Sequence, residues 1–421
     1  MQVLTWIIRL ILAMSVIGVM ASCTMLGLNY ASLDVDNKPD ASPSITDRFN
    51  RASTISTLET ELYGPWPANL PVSAGERRMV DPDYLDGRGT LEEITLTIGE
   101  GDGARTFPIV IAVPNTAKTQ PVPLIISQTF SGNSAVFPDL PVSNTIGEQC
   151  SGSGMTGVGG FIATQIFGTY IAEAPVERYF EAGFAYASMT GNGFIPDRSG
   201  VAQQVMQALG PAPQPTSTLM GWAYGFHAAA DVLLSDPRFD DQSVLALGHS
   251  RYGKAALVAA AWSDNIQAAI AHQSGFAGGS SSRSETGETL KRMVKSYPHW
   301  VRPGLSADLE AGQTLTLDQH FLLALSAPKP VFLGNGRRDV WSDPNSSFRL
   351  AQAADKVHKK LGATGLTATN MRAFDPSATL SYWLRTGGHS VVSEDIDAFI
   401  AFASAHFIEN EGVESALQMG E

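Results

Sequence analysis

From about residue 90 onward the chain alternates between two hydrophobic periods. Short apolar runs at 92–99, 107–113, 124–127, 183–189, 243–248, 330–334 and 379–384 read as strands, and 268–271 is a further short apolar run. The run at 124–127 follows Pro123 and is apolar except for its last residue, as expected of a strand covered on both faces. Between these runs the period lengthens. Residues 218–235 place Leu219, Trp222, Phe226, Ala230 and Leu233 on one helical face. A second helix runs through 255–262. A third opens at Asp343-Pro344, an acid suited to capping followed by a proline suited to the first turn. Ile396, Phe399, Ile400, Ala403 and Phe407 mark a final helix. Repeated strand–helix alternation predicts an α/β fold: a mostly parallel central sheet with helices on both faces.

The amino-terminal 60 residues have a different character. Arg9, an apolar run over 10–20, and then Met20-Ala21-Ser22-Cys23 form a signal-peptide layout of the lipoprotein type over 1–22, with Cys23 as the lipidated residue. Residues 23–60 are polar and lack a clear apolar period, so they read as a tether. A single catalytic domain is expected over 61–421. This layout implies export, to the bacterial outer membrane as a lipoprotein or to the periplasm, with the membrane engaged through the lipid anchor. A secreted protein and an uncleaved membrane anchor are the alternatives.

Composition narrows the partners. The net charge of −13 repels phosphate backbones, which argues against nucleic acid. Two cysteines, Cys23 and Cys150, cannot build a disulfide framework or a cysteine metal site. The histidines lack ligand-like spacing, so no metal site is expected, and the chemistry below needs no cofactor.

The strongest chemical signal is Gly248-His249-Ser250-Arg251-Tyr252-Gly253-Lys254, placed between a buried strand and a helix. Such a strand–turn–helix elbow exposes a serine hydroxyl at the sheet edge and aims helix N–H groups at a forming oxyanion. It points to the α/β-hydrolase fold. The usual pattern has glycine two places after the serine; here Tyr252 stands there and glycine comes one later. A serine nucleophile needs a base and an orienting acid, which follow it in the order acid, then histidine. Asp339 lies just after the strand at 330–334. His389 lies just after the strand at 379–384, behind Gly387-Gly388 and before the last helix. Asp343 is the rival acid, but its place before Pro344 marks it as a helix cap. The same elbow nearly spells a phosphate loop, yet Ala255 has no hydroxyl for magnesium. The glycines of 152–157 match a dinucleotide pattern without a preceding strand.

At Gly248–Lys254 the chain resembles the glucuronoyl esterases, carbohydrate esterase family 15. The resemblance extends to Trp222-Ala223-Tyr224-Gly225, Ser274-Gly275-Phe276-Ala277-Gly278-Gly279, Gly287-Glu288-Thr289, Pro298-His299-Trp300, Asp318-Gln319-His320 and Trp341, covering roughly 180–390. It implies cleavage of the ester between a lignin alcohol and the glucuronic acid carboxyl of xylan. By that resemblance Ser250 attacks, His389 is the base, Arg251 assists the oxyanion, Lys254 binds sugar hydroxyls and Trp341 stacks on the sugar. Glu288 and Arg283 are further candidates. Two departures stand out. His249 replaces the family's usual cysteine. Gln273 occupies the loop where many members carry the triad carboxylate, which shifts that role to Asp339. The alternatives are an esterase acting on acetylated sugars or small aromatic esters, and a non-catalytic carbohydrate-binding relative.

Overall fold

The computed structural model describes residues 45, 49–68, 70–144, 166–210, 216–284 and 286–408. Cys23, the expected leader and Cys150 lie outside the described residues.

Among the described residues ten strands form one sheet: β1 (Val72–Ala74), β2 (Arg78–Asp83), β3 (Gly89–Ile98), β4 (Arg105–Pro114), β5 (Val122–Thr129), β6 (Ala185–Thr190), β7 (Phe239–His249), β8 (Ala268–His272), β9 (Val331–Gly336) and β10 (Leu380–Arg385). Their order is β1-β3-β4-β6-β5-β7-β8-β9-β10, with β2 also paired to β3. The first four strands and the β4–β6 pair are antiparallel; from β6 to β10 every pairing is parallel. The α/β-hydrolase fold expected from the elbow is the fold observed. Strands β1 and β2 escape the hydrophobic pattern because they are short, polar and at the sheet margin.

Alternation along the central strands divides the core in two. Val244 and Ala246 join one apolar cluster, with Leu124, Ile126, Val331 and Leu333. Leu245 and Leu247 join the other, with Ile125, Ile270 and Phe332. This is the period-two geometry of a strand buried on both sides. Helices Thr218–Leu233, Arg251–Trp262, His320–Ser326 and Pro344–Lys360 cover the first face, and Ser393–Phe407 covers the second. The helix after Ser250 is buried almost all round. Its alanines at 255, 256, 259, 260 and 261 let it lie close against the sheet and its neighbours.

The tether expected up to residue 60 is corrected at its end. Arg51–Leu58 is a helix, running on into a turn at Glu59–Tyr63. Leu58, Leu62 and Tyr63 are buried in the main core, and the Arg51 guanidinium donates to the carbonyls of Ala261 and Leu325. Ile55, Leu58 and Leu62 recur at helical spacing, a stripe too short to stand out among the polar residues around it.

Candidate active site

The site is assembled where the parallel strands end. Ser250 follows β7 directly and adopts φ 55°, ψ −122°, the strained conformation that lifts a nucleophile out of the chain at an elbow. Close backbone approach explains the neighbouring glycine: a Cβ on Gly248 would lie 2.0 Å from the Tyr252 carbonyl oxygen. It also explains why Tyr252 is tolerated. Its ring is buried between Phe130 and Trp222, and its hydroxyl donates to Asn192 Oδ1 at 3.1 Å. The tight contact falls instead on Gly253, where a Cβ would sit 3.0 Å from the Gly248 carbonyl. The Ser250 N–H is already bound to the His272 carbonyl at 2.8 Å. Arg251, the first residue of the helix, has an N–H with no intrahelical partner.

His389 and Asp339 arrive together from the loops after β10 and β9. His389 Nδ1 lies 2.7 Å from Asp339 Oδ2. Asp339 is buried, and burial alone would raise its pKa. The charge and hydrogen bond of His389, with the Ser342 N–H, outweigh burial and hold it below the usual carboxylate range. Asp343 caps the helix it precedes, accepting from the Ser346 N–H at 3.1 Å. Gln273 is turned away from the acid's role: its Nε2 donates to the Gly388 carbonyl at 2.8 Å, bracing the loop that carries His389.

Ser250, Arg251, Lys254, Glu288, Asp339, Trp341 and His389 line one cavity of 590 Å³. Seven residues scattered over 140 positions thus meet. The Arg251 guanidinium pairs with Asp197 and lies 5.0 Å from the Phe130 ring and 5.7 Å from that of Trp300. Asp197 is fixed in turn by His299 Nε2 at 2.7 Å and Trp300 Nε1 at 2.6 Å. Burial, with Arg251 nearby, pushes His299 down to about 4.

The expected role of Lys254 is narrowed. Its ammonium donates to the carbonyls of Ser274 (2.6 Å) and Phe276. Only one of its three donors remains for a ligand. Burial lowers its pKa to about 8 despite the nearby Glu288 and Asp339. Glu288 is buried, which pushes its carboxyl upward, partly countered by Lys254. Trp341 stands at the mouth, 37% exposed, with the Arg292 guanidinium 4.7 Å over its ring. One ring face is therefore taken, leaving the other for a sugar. Arg283 lies elsewhere: its guanidinium donates to the carbonyls of Leu315 and Thr316 in a separate groove.

Sequence reasoning missed Asp197, Arg292, Tyr297 and Arg338. Asp197 sits in a loop without periodicity, and the others lie in segments whose pattern says only helix or turn. Among the described residues no group of His, Cys, Asp or Glu is arranged to hold a metal ion, and no helix is long and apolar enough to cross a membrane.

A serine elbow on a mostly parallel sheet, with an acid–histidine pair delivered by the last two strands, defines a serine hydrolase of the α/β-hydrolase class. A family model described as fungal glucuronyl esterase matches residues 200–362. The chain is thus similar to carbohydrate esterase family 15, and it is an esterase. It is 29% identical over 365 residues to the carbohydrate esterase MZ0003 of an unknown prokaryotic organism, covering 83% of this chain and 82% of that protein. The 4-O-methyl-glucuronoyl methylesterase of Hypocrea jecorina is 29% identical over 157 residues, covering 35% of this chain and 34% of that enzyme. Among solved structures, a promiscuous family 15 esterase from a marine bacterial metagenome superposes with a TM-score of 0.72 at 26% identity, covering 90% of this chain and 98% of that one. The glucuronoyl esterase from Solibacter usitatus gives 0.71 at 25% identity, covering 86% and 92%.

Proposed function

We propose that the chain hydrolyses esters of the glucuronic acid carboxyl group, such as those joining xylan to lignin. The observation that carries this reading is the single cavity in which Ser250 and the His389–Asp339 pair share walls with Lys254, Glu288 and Trp341. The first three supply ester chemistry; the last three supply donors, an acceptor and an aromatic face suited to a sugar. The relative from Hypocrea jecorina, named for action on 4-O-methyl-glucuronoyl methyl esters, supports the same substrate class.

Ser250 Oγ attacks the ester carbonyl carbon while His389 takes its proton. Asp339, ionised and 2.7 Å from Nδ1, stabilises the imidazolium and fixes its tautomer. The oxyanion develops beside the Arg251 N–H and guanidinium. His389 returns the proton to the departing alcohol, leaving a glucuronoyl ester on Ser250. Water, deprotonated by His389, then attacks that ester, and His389 returns the proton to Ser250 Oγ as glucuronate leaves.

The substrate is tested by comparing benzyl glucuronate with 4-nitrophenyl acetate, using Ser250→Ala as blank. A higher kcat/KM on the glucuronate is expected. Activity on the acetate alone would leave a serine esterase with a different substrate.

We also infer export with a lipid on Cys23, on the strength of Met20-Ala21-Ser22-Cys23. Labelling with a palmitate analogue should mark the wild type and spare Cys23→Ala; equal labelling of both would refute it.

A further inference from the structure

Behind His389 lies a second set of buried charged and imidazole groups that the reaction steps above do not use. His249 ends β7 and His272 ends β8, and the two are register partners. Their Nδ1 atoms are 3.0 Å apart. The His249 ring lies 4.6 Å from the His389 ring, centroid to centroid. His272, fully buried, places Nε2 3.3 Å from Asp395 Oδ1. Asp395 is also fully buried and accepts from Arg385 Nε at 2.7–2.8 Å and from the Val392 N–H at 3.0 Å. Arg385 then reaches forward: its Nη2 donates to the Ser390 carbonyl (2.6 Å), the Ser390 hydroxyl (2.8 Å) and the Gly388 carbonyl (3.3 Å). Gly388 and Ser390 flank His389. One carboxylate thus holds His389 from two sides, its backbone through Arg385 and its ring through His272 and His249.

We propose that His249 is a positioning residue for His389, oriented by the His272–Asp395 pair. The proton inventory supports it. A carboxylate beside Nε2 favours the His272 tautomer with its hydrogen there, which leaves His272 Nδ1 as an acceptor. His249 must then donate from its own Nδ1. A second proton on His249 would be opposed by burial first, and then by His389, His272 and Arg385, the charged and titratable groups that face it; its pKa lies well below the ordinary range. His249 therefore stays uncharged while His389 carries the proton from Ser250, and no rival cation forms against the imidazolium.

This inference rests on the reading of His389 as general base, so its test has one arm independent of turnover. In the full-length protein with ¹⁵N-labelled histidine, the imidazole nitrogens should report hydrogen on Nε2 of His272 and on Nδ1 of His249. Hydrogen on His272 Nδ1 would overturn the proposal, whatever the activity. In the kinetic arm, His249→Phe keeps a ring against His389 but cannot donate. Expected is a fall in kcat of about tenfold with KM unchanged, the scale of a misplaced catalytic group. His249→Gln, which restores a donor toward His272, should recover most of it. Wild-type kcat in His249→Phe overturns the proposal. So does an equal loss in both variants, which would mark a merely structural role. An active His389→Ala would overturn the general-base reading and with it the positioning role, whereas a dead His389→Ala beside wild-type kcat in His249→Phe would overturn the positioning role alone.

Discussion

Two buried carboxylates at opposite edges of the sheet show how differently the same chemistry can be used. Glu92, on β3 near the start of β7, is enclosed by Arg77 at 2.8 Å, Arg238 at 2.7 and 2.8 Å, and the Thr90 hydroxyl at 2.9 Å. Asp236 joins the cluster through Arg77 and Arg238. Burial opposes its charge, but the two guanidinium groups outweigh it and hold Glu92 at about 2. Asp339, beyond the end of β9, has one histidine and a backbone N–H. Nearby, Lys254 is pushed down to about 8 and Glu288 is pushed up, mainly by burial. The first region is charge-matched and closed, its carboxylate held in the charged form; in the second, Lys254 and Glu288 are pushed toward their neutral forms around an open cavity. Groups displaced in this way are able to respond to a substrate or to move a proton, whereas a saturated cluster only holds the chain together.

Substitutions can break that contrast. The largest effect on activity is expected from Ser250→Ala, with kcat on benzyl glucuronate falling by about 10⁵-fold or more and the melting temperature little changed. Asp339→Asn should follow, at about 10³–10⁴-fold, because the wrong histidine tautomer is then favoured. A loss of less than tenfold would move the acid elsewhere. The Lys254 ammonium predicts a pH effect on the wild type. Its charge is lost as pH rises through about 8, so KM should climb above that pH, a trend absent in Lys254→Met. The same group has its folded pKa depressed below the ordinary 10.5, so its contribution to stability rises with pH between about 8 and 10.5. Arg292→Ala, which frees the covered face of Trp341, should change KM by only a few-fold, the scale of one exposed cation–π contact.

On the matched side of the comparison the signs reverse. Glu92→Gln should leave kcat and KM as they are and lower stability by about 3 kcal/mol, since two guanidinium groups lose their buried partner. Denaturant titration reads this directly. In the wild type Glu92 has a folded pKa depressed from 4.5 to about 2. Its contribution is present above pH 4.5 and is lost as pH falls toward 2, a slope that Glu92→Gln should flatten.

The sequence was most informative where one residue type must meet one backbone demand. The elbow was readable because Gly248, Ser250 and Gly253 answer a tight strand–helix approach. Asp339 and His389 were readable because parallel strands deliver their following loops to one edge, so chain order alone places them. Asp197 was not readable, since it reaches Arg251 across 54 positions from a loop without a period. Nor was the use of Lys254, whose ammonium is claimed by two carbonyls of a loop 20 residues on. The helix Arg51–Leu58 was lost because polar residues surround its short apolar stripe, although tertiary packing buries it. Local patterns carry backbone geometry; pairings between distant side chains leave no periodic trace.

The central claim is that Ser250 carries a glucuronoyl group during turnover. Acid-quenching the enzyme while it hydrolyses benzyl glucuronate, followed by peptide mass mapping, tests it most directly. The expected result is a glucuronoyl adduct on the peptide containing Ser250, absent in Ser250→Ala. An adduct on a different residue, or turnover by Ser250→Ala at the wild-type rate, would contradict it.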